Sequence, residues 1–313
     1  MKVAFFSPHL CLRGTTVAIH DYSFYNQELL GNESIIIYEE RHPGNHPSVI
    51  EKFKKHAKVV PIENVSKLDE ALEREKCDAV YIIKGGNKDE RFAKTCKTLI
   101  HCVGMANDPH GDVYAYVSKW LSNACSEGRY PYVPYMADLP DVNENLRKEL
   151  GVPDDAVVFG RSGGQDTWNL PFANSVVELA LKRRGDIYFL FQNTPIFSDN
   201  KRIINLPTTP DLIYKTKFIN SCDAMIHARH EGESFGLACA EFSLRNKPVI
   251  TWNQSRERNH IEILGDKGLY YSSPQEMLDQ MLSFQRQPEK DWNCYRQFNP
   301  RAVMNIFNEV FLK

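Results

Sequence analysis

The strongest constraint on this chain is a rhythm. Short apolar runs of strand length recur along it and alternate with stretches of helical periodicity. Eleven runs stand at residues 3–6, 34–38, 58–60, 79–83, 99–103, 113–117, 156–160, 187–191, 224–227, 248–251 and 269–271. Most are continuous rather than alternating. A strand with one wet face alternates apolar and polar residues, whereas a strand covered on both faces does not. Helices provide that cover when they cross between parallel strands. The rhythm therefore predicts an α/β chain with parallel sheets.

The helical stretches carry their own signals. Ala18, Tyr22, Tyr25 and Leu29 repeat on one face, and Gly31 follows as a stop. Ser66 with Asp69 marks a helix start, with Leu68, Ala71 and Leu72 as its apolar side. Leu146 and Leu150 before Gly151 suggest a helix end. Ser273-Pro274-Gln275-Glu276 is a capping box with proline at the first helical position. Val303, Ile306, Phe307 and Val310 form a final stripe.

A chain of 313 residues is long enough for two such domains. The boundary falls in residues 130–141, which hold three prolines and no periodicity. The expected division is 1–133, with the last helix at 299–313 packing back onto it, and 134–298. Open parallel sheets bind ligands at the carboxyl ends of their strands, so a cleft between two such sheets is the expected site.

Charge and composition remove other classes. The formal net charge is −2, which supplies no global attraction for nucleic acid. With 14 Tyr, 17 Phe and 4 Trp, the chain has ample material for packed cores. No apolar run approaches the ~20 residues of a membrane helix. The first run is followed at once by Ser7-Pro8-His9, which suits a buried strand rather than a leader. Eight cysteines form no C-x-x-C pair and read as reduced thiols of a cytoplasmic protein.

Residues 223–250 carry the most chemistry. They read as a strand at 224–227, a loop with Glu231, Gly232, Glu233 and Ser234, a helix from Phe235–Gly236 to about Leu244, and another strand. The first amides of that helix lack internal partners and suit a diphosphate, and Gly236 permits close backbone approach. Leu237, Ala240 and Leu244 form an apolar stripe, on which Glu241 also falls. An inward carboxylate needs a partner, either a ribose diol or a nearby arginine, unless it lies at the stripe edge and reaches solvent.

Glu233-Ser-Phe-Gly-Leu-Ala-Cys-Ala-Glu241, an E-x7-E pattern, resembles the signature of retaining glycosyltransferases of family 4. Asp223, His227 and Lys247-Pro-Val-Ile250 fit the same layout, as do residues 133–138, 146–160 and 117–121. The resemblance spans roughly Val113 to Tyr271 and is looser before it. It implies the GT-B fold: two Rossmann-like domains whose parallel sheets face a central cleft.

That resemblance also implies roles. Glu241 would bind the ribose of a nucleotide sugar and Glu233 the hydroxyls of the donor sugar. Ser234, Phe235, Gly236 and Leu237 would line the donor, giving backbone amides to diphosphate or sugar. Arg161 would neutralise charge growing on the leaving phosphate. Relatives place a lysine five residues later, but this chain has Asp166. Amides of Gly163 and Gly164, or the cations Arg229 or Lys84, are the expected substitutes. In the first domain, Gly14 and Thr15 occupy the loop near the donor phosphates. His101 would approach the donor sugar, with His110 as competitor and Lys84-Gly85-Gly86 as another cleft-side loop.

The expected activity is retaining transfer of a sugar from a nucleotide diphosphate donor to an acceptor hydroxyl on a glycan, lipid or small molecule. No Asp-x-Asp triplet and no zinc-spaced His/Cys cluster occurs, so neither metal nor other cofactor is expected. No G-x-G-x-x-G fingerprint supports a nicotinamide cofactor. Expected partners are the nucleotide-sugar donor and a carbohydrate or lipid-linked acceptor, the latter bringing peripheral contact with a membrane, and no nucleic acid. Two alternatives stand: a GT-B sugar-nucleotide epimerase, and a non-catalytic nucleotide-sugar or glycan-binding protein.

Overall fold

The computed structural model describes residues 1–313. It has two compact units, Met1–Met136 with Phe298–Lys313, and Ala137–Gln297. No helix is long and apolar enough to cross a membrane.

The first unit holds strands β1 (Lys2–Ser7), β2 (Glu33–Glu39), β3 (Lys58–Ile62), β4 (Ala79–Lys84), β5 (Lys97–Cys102) and β6 (Val113–Tyr116). They form one sheet in the order β3-β2-β1-β4-β5-β6, parallel throughout. Its helices are α1 (Gly14–Glu28), α2 (Pro47–Lys54), α3 (Leu68–Glu75) and α4 (Lys119–Ser126), joined by the C-terminal helix Pro300–Phe307. Strand β1 is central and almost wholly buried, as its unbroken apolar run requires.

The second unit holds β7 (Val157–Arg161), α5 (Ala173–Arg183), β8 (Ile187–Gln192), β9 (Ile203–Leu206), α6 (Leu212–Ser221), β10 (Ala224–His227), β11 (Gly232–Glu233), α7 (Leu237–Leu244), β12 (Val249–Trp252), β13 (Glu257–Arg258), α8 (Asn259–Leu264), β14 (Leu269–Tyr271) and α9 (Pro274–Ser283). Its main sheet runs β14-β12-β10-β7-β8-β9, again all parallel. Helices α5 and α9 bury Val177, Ala180, Met277 and Met281 with Phe159 and Phe189 of the sheet in one core. Asp223 anchors the start of β10. It pairs with Arg147 at 2.7 Å and Arg286 at 2.9 Å, and accepts the Val158 N–H at 2.8 Å.

The α/β expectation holds, and all eleven expected strands form. The twelfth sheet strand, β9, is absent from the sequence expectation. It is an edge strand with only its end residues buried, so continuous apolarity is not required of it. Several helix details differ. Asn64, not Ser66, caps the turn before α3, taking the Ser66 N–H at 3.0 Å. Residues 146–151 form turns rather than a helix, with Arg147 bonded to four backbone carbonyls. On α1 the buried line turns from the expected Tyr25 and Leu29 to Ser23 and Asn26. Asn26 donates to Ser34 Oγ at 2.9 Å, so that helix end docks by hydrogen bonds. Helix α7 is buried from Cys239 to Ser243, while Leu237 and Leu244 are part-exposed. The C-terminal stripe is Val303, Met304, Phe307 and Phe311: Met304 replaces Ile306 within the α-helix, and Phe311 replaces Val310 where the last turn widens to a π-helix. Ser273 caps α9 as expected, accepting the Glu276 N–H at 3.2 Å.

Candidate functional site

The site is built where β10 stops. The chain leaves His227, turns through residues 228–231, and forms β11, which pairs in parallel with β13. Glycine is required at two positions here. At Gly232 (φ +80°) a Cβ would sit 2.0 Å from the Glu257 carbonyl oxygen. At Gly236 (φ +92°) it would meet the His260 Cβ at 3.1 Å. Glu233 lies between them, so its backbone is held from both sides.

Glu233 takes His227 Nε2 at 3.1 Å on one carboxylate oxygen and Arg229 Nη1 at 3.0 Å on the other. Burial works to raise its pKa, but the His227 bond and the Arg229 charge outweigh that and hold it at about 2. Its side chain stays 19% exposed, and a carboxylate has about four acceptor sites. It is therefore an ionised acceptor with capacity left for hydroxyl donors.

Behind it, His227 Nδ1 meets Thr251 Oγ1 at 2.8 Å, and Thr251 Oγ1 meets His260 Nε2 at 3.1 Å. His260 is fully buried, its Nδ1 has no partner, and burial lowers its pKa to about 3.

Helix α7 opens on Gly236, whose carbonyl takes the first intrahelical bond, from the Ala240 N–H at 2.9 Å. The Phe235 carbonyl accepts from Asn259 Nδ2 at 3.2 Å, and the Phe235 ring lies against Tyr295. Ser234 and Leu237 are part-exposed beside it. Glu241, one turn in, is buried and ion-paired with Lys215 of α6. The sequence suggests a ribose diol or an arginine for this carboxylate; the protein partner is instead the lysine of α6.

Arg161 ends β7, next to β10 in the sheet. Its Nη1 donates to the carbonyls of Gln192 (3.2 Å) and Asn193 (2.8 Å) and to Thr194 Oγ1 (2.7 Å). Its Nη2 donates to the Gly164 carbonyl (2.6 Å) and Thr167 Oγ1 (2.7 Å). Burial pulls its pKa down to about 10, against the charges of Glu233 and Asp166. The guanidinium bolts the 162–167 loop to β8. Gly163 and Gly164 belong to that loop: Asn193 Nδ2 holds the Gly163 carbonyl at 2.8 Å. Asn169 then ties this region to the Glu233 loop, donating to Glu231 at 2.9 Å and accepting the His230 N–H at 2.8 Å.

Gly160-Arg161-Ser162-Gly163-Gly164 also has the G-x-S-x-G spacing of a hydrolase nucleophile elbow. Ser162 meets Gln192 Oε1 at 3.2 Å rather than a histidine, and a 3-10 turn follows instead of a helix. The spacing lacks the chemistry.

The remaining candidates lie in the first unit. His101 is fully buried there. Its Nε2 donates to the Val133 carbonyl at 2.9 Å, so Nδ1 accepts from the Tyr81 hydroxyl. Burial lowers its pKa to about 3, and both ring nitrogens are occupied. This corrects the expectation of a histidine open to a donor sugar: here it is a neutral core residue. His110 accepts from Lys84 at 3.0 Å, and Lys84, with a wholly buried side chain, also pairs with Asp89. Gly14 and Thr15 are exposed in the first turn of α1.

Glu233, Ser234, Phe235, Gly236, Leu237 and Glu241 thus share one strand–loop–helix, with Arg161, Gly163 and Gly164 at the carboxyl end of the neighbouring strand β7. Thr251, His260 and Lys215 escaped sequence reasoning. Each lies at least 18 residues from the carboxylate it serves, directly or through a neighbour, and no local pattern joins them.

No protein-family model and no curated protein matches the sequence. Solved structures do match its fold. HepE from Anabaena, crystallised with UDP-glucose, is 13% identical with a TM-score of 0.69, over 99% of this chain and 98% of that one. A glycosyltransferase from Rickettsia africae is 15% identical with a TM-score of 0.66, over 99% and 94%. A protein from Listeria monocytogenes assigned as a UDP-N-acetylglucosamine 2-epimerase is 14% identical with a TM-score of 0.65, over 98% and 96%. The fold is that of the GT-B proteins.

Proposed function

We propose that this protein is a retaining glycosyltransferase that moves a sugar from a nucleotide diphosphate to an acceptor hydroxyl without a metal ion. The observation that carries the reading is the pair of carboxylates flanking the start of α7. Glu233 is an ionised acceptor suited to sugar hydroxyls, and Glu241 sits one turn inside the helix, suited to a ribose diol. Between them the amides of Gly236, at the N-cap, and Leu237, at the first helical position, offer donors to a diphosphate. Similarity to a HepE structure with UDP and glucose supports a uridine donor.

The reaction needs charge on the leaving phosphate stabilised. The α7 amides supply part of this. Arg161 would add to it by releasing some of its present acceptors. No protein nucleophile stands out, so retention would follow front-face attack, with the leaving phosphate taking the acceptor proton. A thermal-shift panel of UDP, GDP, ADP and their sugars tests the donor class. NMR of the released sugar's anomeric configuration then tests retention. An inverted product, or no nucleotide-dependent shift, defeats the reading.

The Listeria neighbour favours a second reading, epimerisation of the donor sugar. UDP-N-acetylglucosamine incubated without acceptor would then yield an epimer. The occupied guanidinium of Arg161, with Asp166 in place of lysine, favours a third: nucleotide-sugar binding without turnover.

A further inference from the structure

We propose that His227, Thr251 and His260 form a directional hydrogen-bond relay that orients Glu233, making His227 a positioning residue for the donor sugar. The role in sugar binding rests on the reading of Glu233 given above. The relay itself rests on geometry alone.

Its direction follows from the ends. Glu233 Oε1 is a carboxylate oxygen and only accepts, so His227 Nε2 carries the proton of their 3.1 Å bond. In a neutral ring Nδ1 then holds a lone pair and takes the Thr251 hydroxyl proton at 2.8 Å. The Thr251 oxygen, having donated, accepts from His260 Nε2 at 3.1 Å. His260 Nδ1 ends the chain as an acceptor without a partner, in a residue with no exposed surface. Reversing the order would require a charged His227 and would leave a buried N–H there instead. Either way one polar atom goes unsatisfied, an uncommon arrangement in a core and one that needs an explanation.

The explanation we infer is orientation. Three elements contribute, β10 with His227, β12 with Thr251 and α8 with His260, so the imidazole plane is set by the main sheet rather than by the loop. Arg229, the other donor to Glu233, belongs to that loop and is more exposed. His227 therefore fixes one carboxylate oxygen to the rigid part of the unit. The remaining lone pairs then meet sugar hydroxyls without reorganisation.

The test compares Thr251→Val, which keeps shape and removes the bridge, with Thr251→Ser, which restores it. In the ligand-free protein, 15N NMR should find His227 as the Nε2–H tautomer, and Thr251→Val should lose that fixed state. With UDP-glucose as donor, Thr251→Val should raise KM about three- to tenfold, the size of one lost hydrogen bond, and Thr251→Ser should recover most of it. Binding of UDP alone should not change, which also shows that the variant is folded. An Nδ1–H or charged His227 in the wild type overturns the relay, as does an unchanged KM in Thr251→Val. If wild-type protein binds no UDP-glucose while the tautomer is as stated, the relay stands and the sugar-binding reading fails.

Discussion

At the scale of single residues, the site is a set of carboxylates and cations whose environments differ. Glu241 is buried beside Lys215, so its charge is compensated before any ligand arrives. Replacing it with alanine removes hydrogen bonds to an ionised group. Glu241→Ala should weaken UDP binding by about 1–3 kcal/mol in titration calorimetry; an unaltered affinity would end the ribose assignment. Arg161 is the opposite case. The sequence suggests a phosphate cation, but the structure gives its guanidinium five protein acceptors, three of them backbone carbonyls. Arg161→Ala should lower the urea-unfolding free energy of ligand-free protein by about 2–4 kcal/mol, because buried carbonyls lose their donor. Unchanged stability would return the residue to a purely ligand-facing role. Aspartate at position 166 was visible in the sequence. Its consequence was not, because the acceptors around Arg161 come from residues 164–167 and 192–194, separated by a strand and a helix.

At the scale of elements, the loop from β10 to α7 matters most. Its shape depends on Gly232 and Gly236, both at positive φ with no room for a Cβ at normal contact distance. Gly236→Ala should cost about 1–3 kcal/mol of stability, measured by urea unfolding, since alanine is strained at φ +92°. It should also weaken UDP binding, because the first turn of α7 would shift. Normal UDP affinity in a destabilised variant would separate the helix start from the nucleotide. This motif was legible because all its residues are consecutive. The E-x7-E spacing, the glycine and the helix start lie within a dozen positions. By contrast, the stripe expected on α7 did not form as such, because this helix is covered on most sides and its burial carries no 3.6-residue signal.

At the scale of the whole molecule, stability should depend on pH through buried histidines. His101 and His260 both have folded pKa values near 3, lowered by burial. The unfolded chain binds more protons than the folded one between pH ~6.5 and that value, so stability rises with pH across this window. Each ring contributes up to about 1.4 kcal/mol per pH unit there. Glu233, held at about 2, adds the same sign below pH ~4.5, because the unfolded carboxylate protonates first. Urea-unfolding free energies should therefore fall steadily as pH drops from 7 to 4. His101→Gln should flatten part of that slope, and a wild-type slope of zero would contradict the burial of both rings. The sequence by itself determined the class of fold: two successions of fully covered parallel strands, because burial on both faces leaves an unbroken apolar run that survives in one dimension. It also determined the strand–loop–helix with two carboxylates, because that feature is local. Only the tertiary structure decided that Glu241 is paired to Lys215, that His101 is core, and that Glu233 is backed by His227, Thr251 and His260. Those outcomes depend on side chains from separate elements meeting at the ends of neighbouring strands, between helices or in a core. The register of neighbouring strands and helices sets such meetings, and no spacing along the chain encodes it.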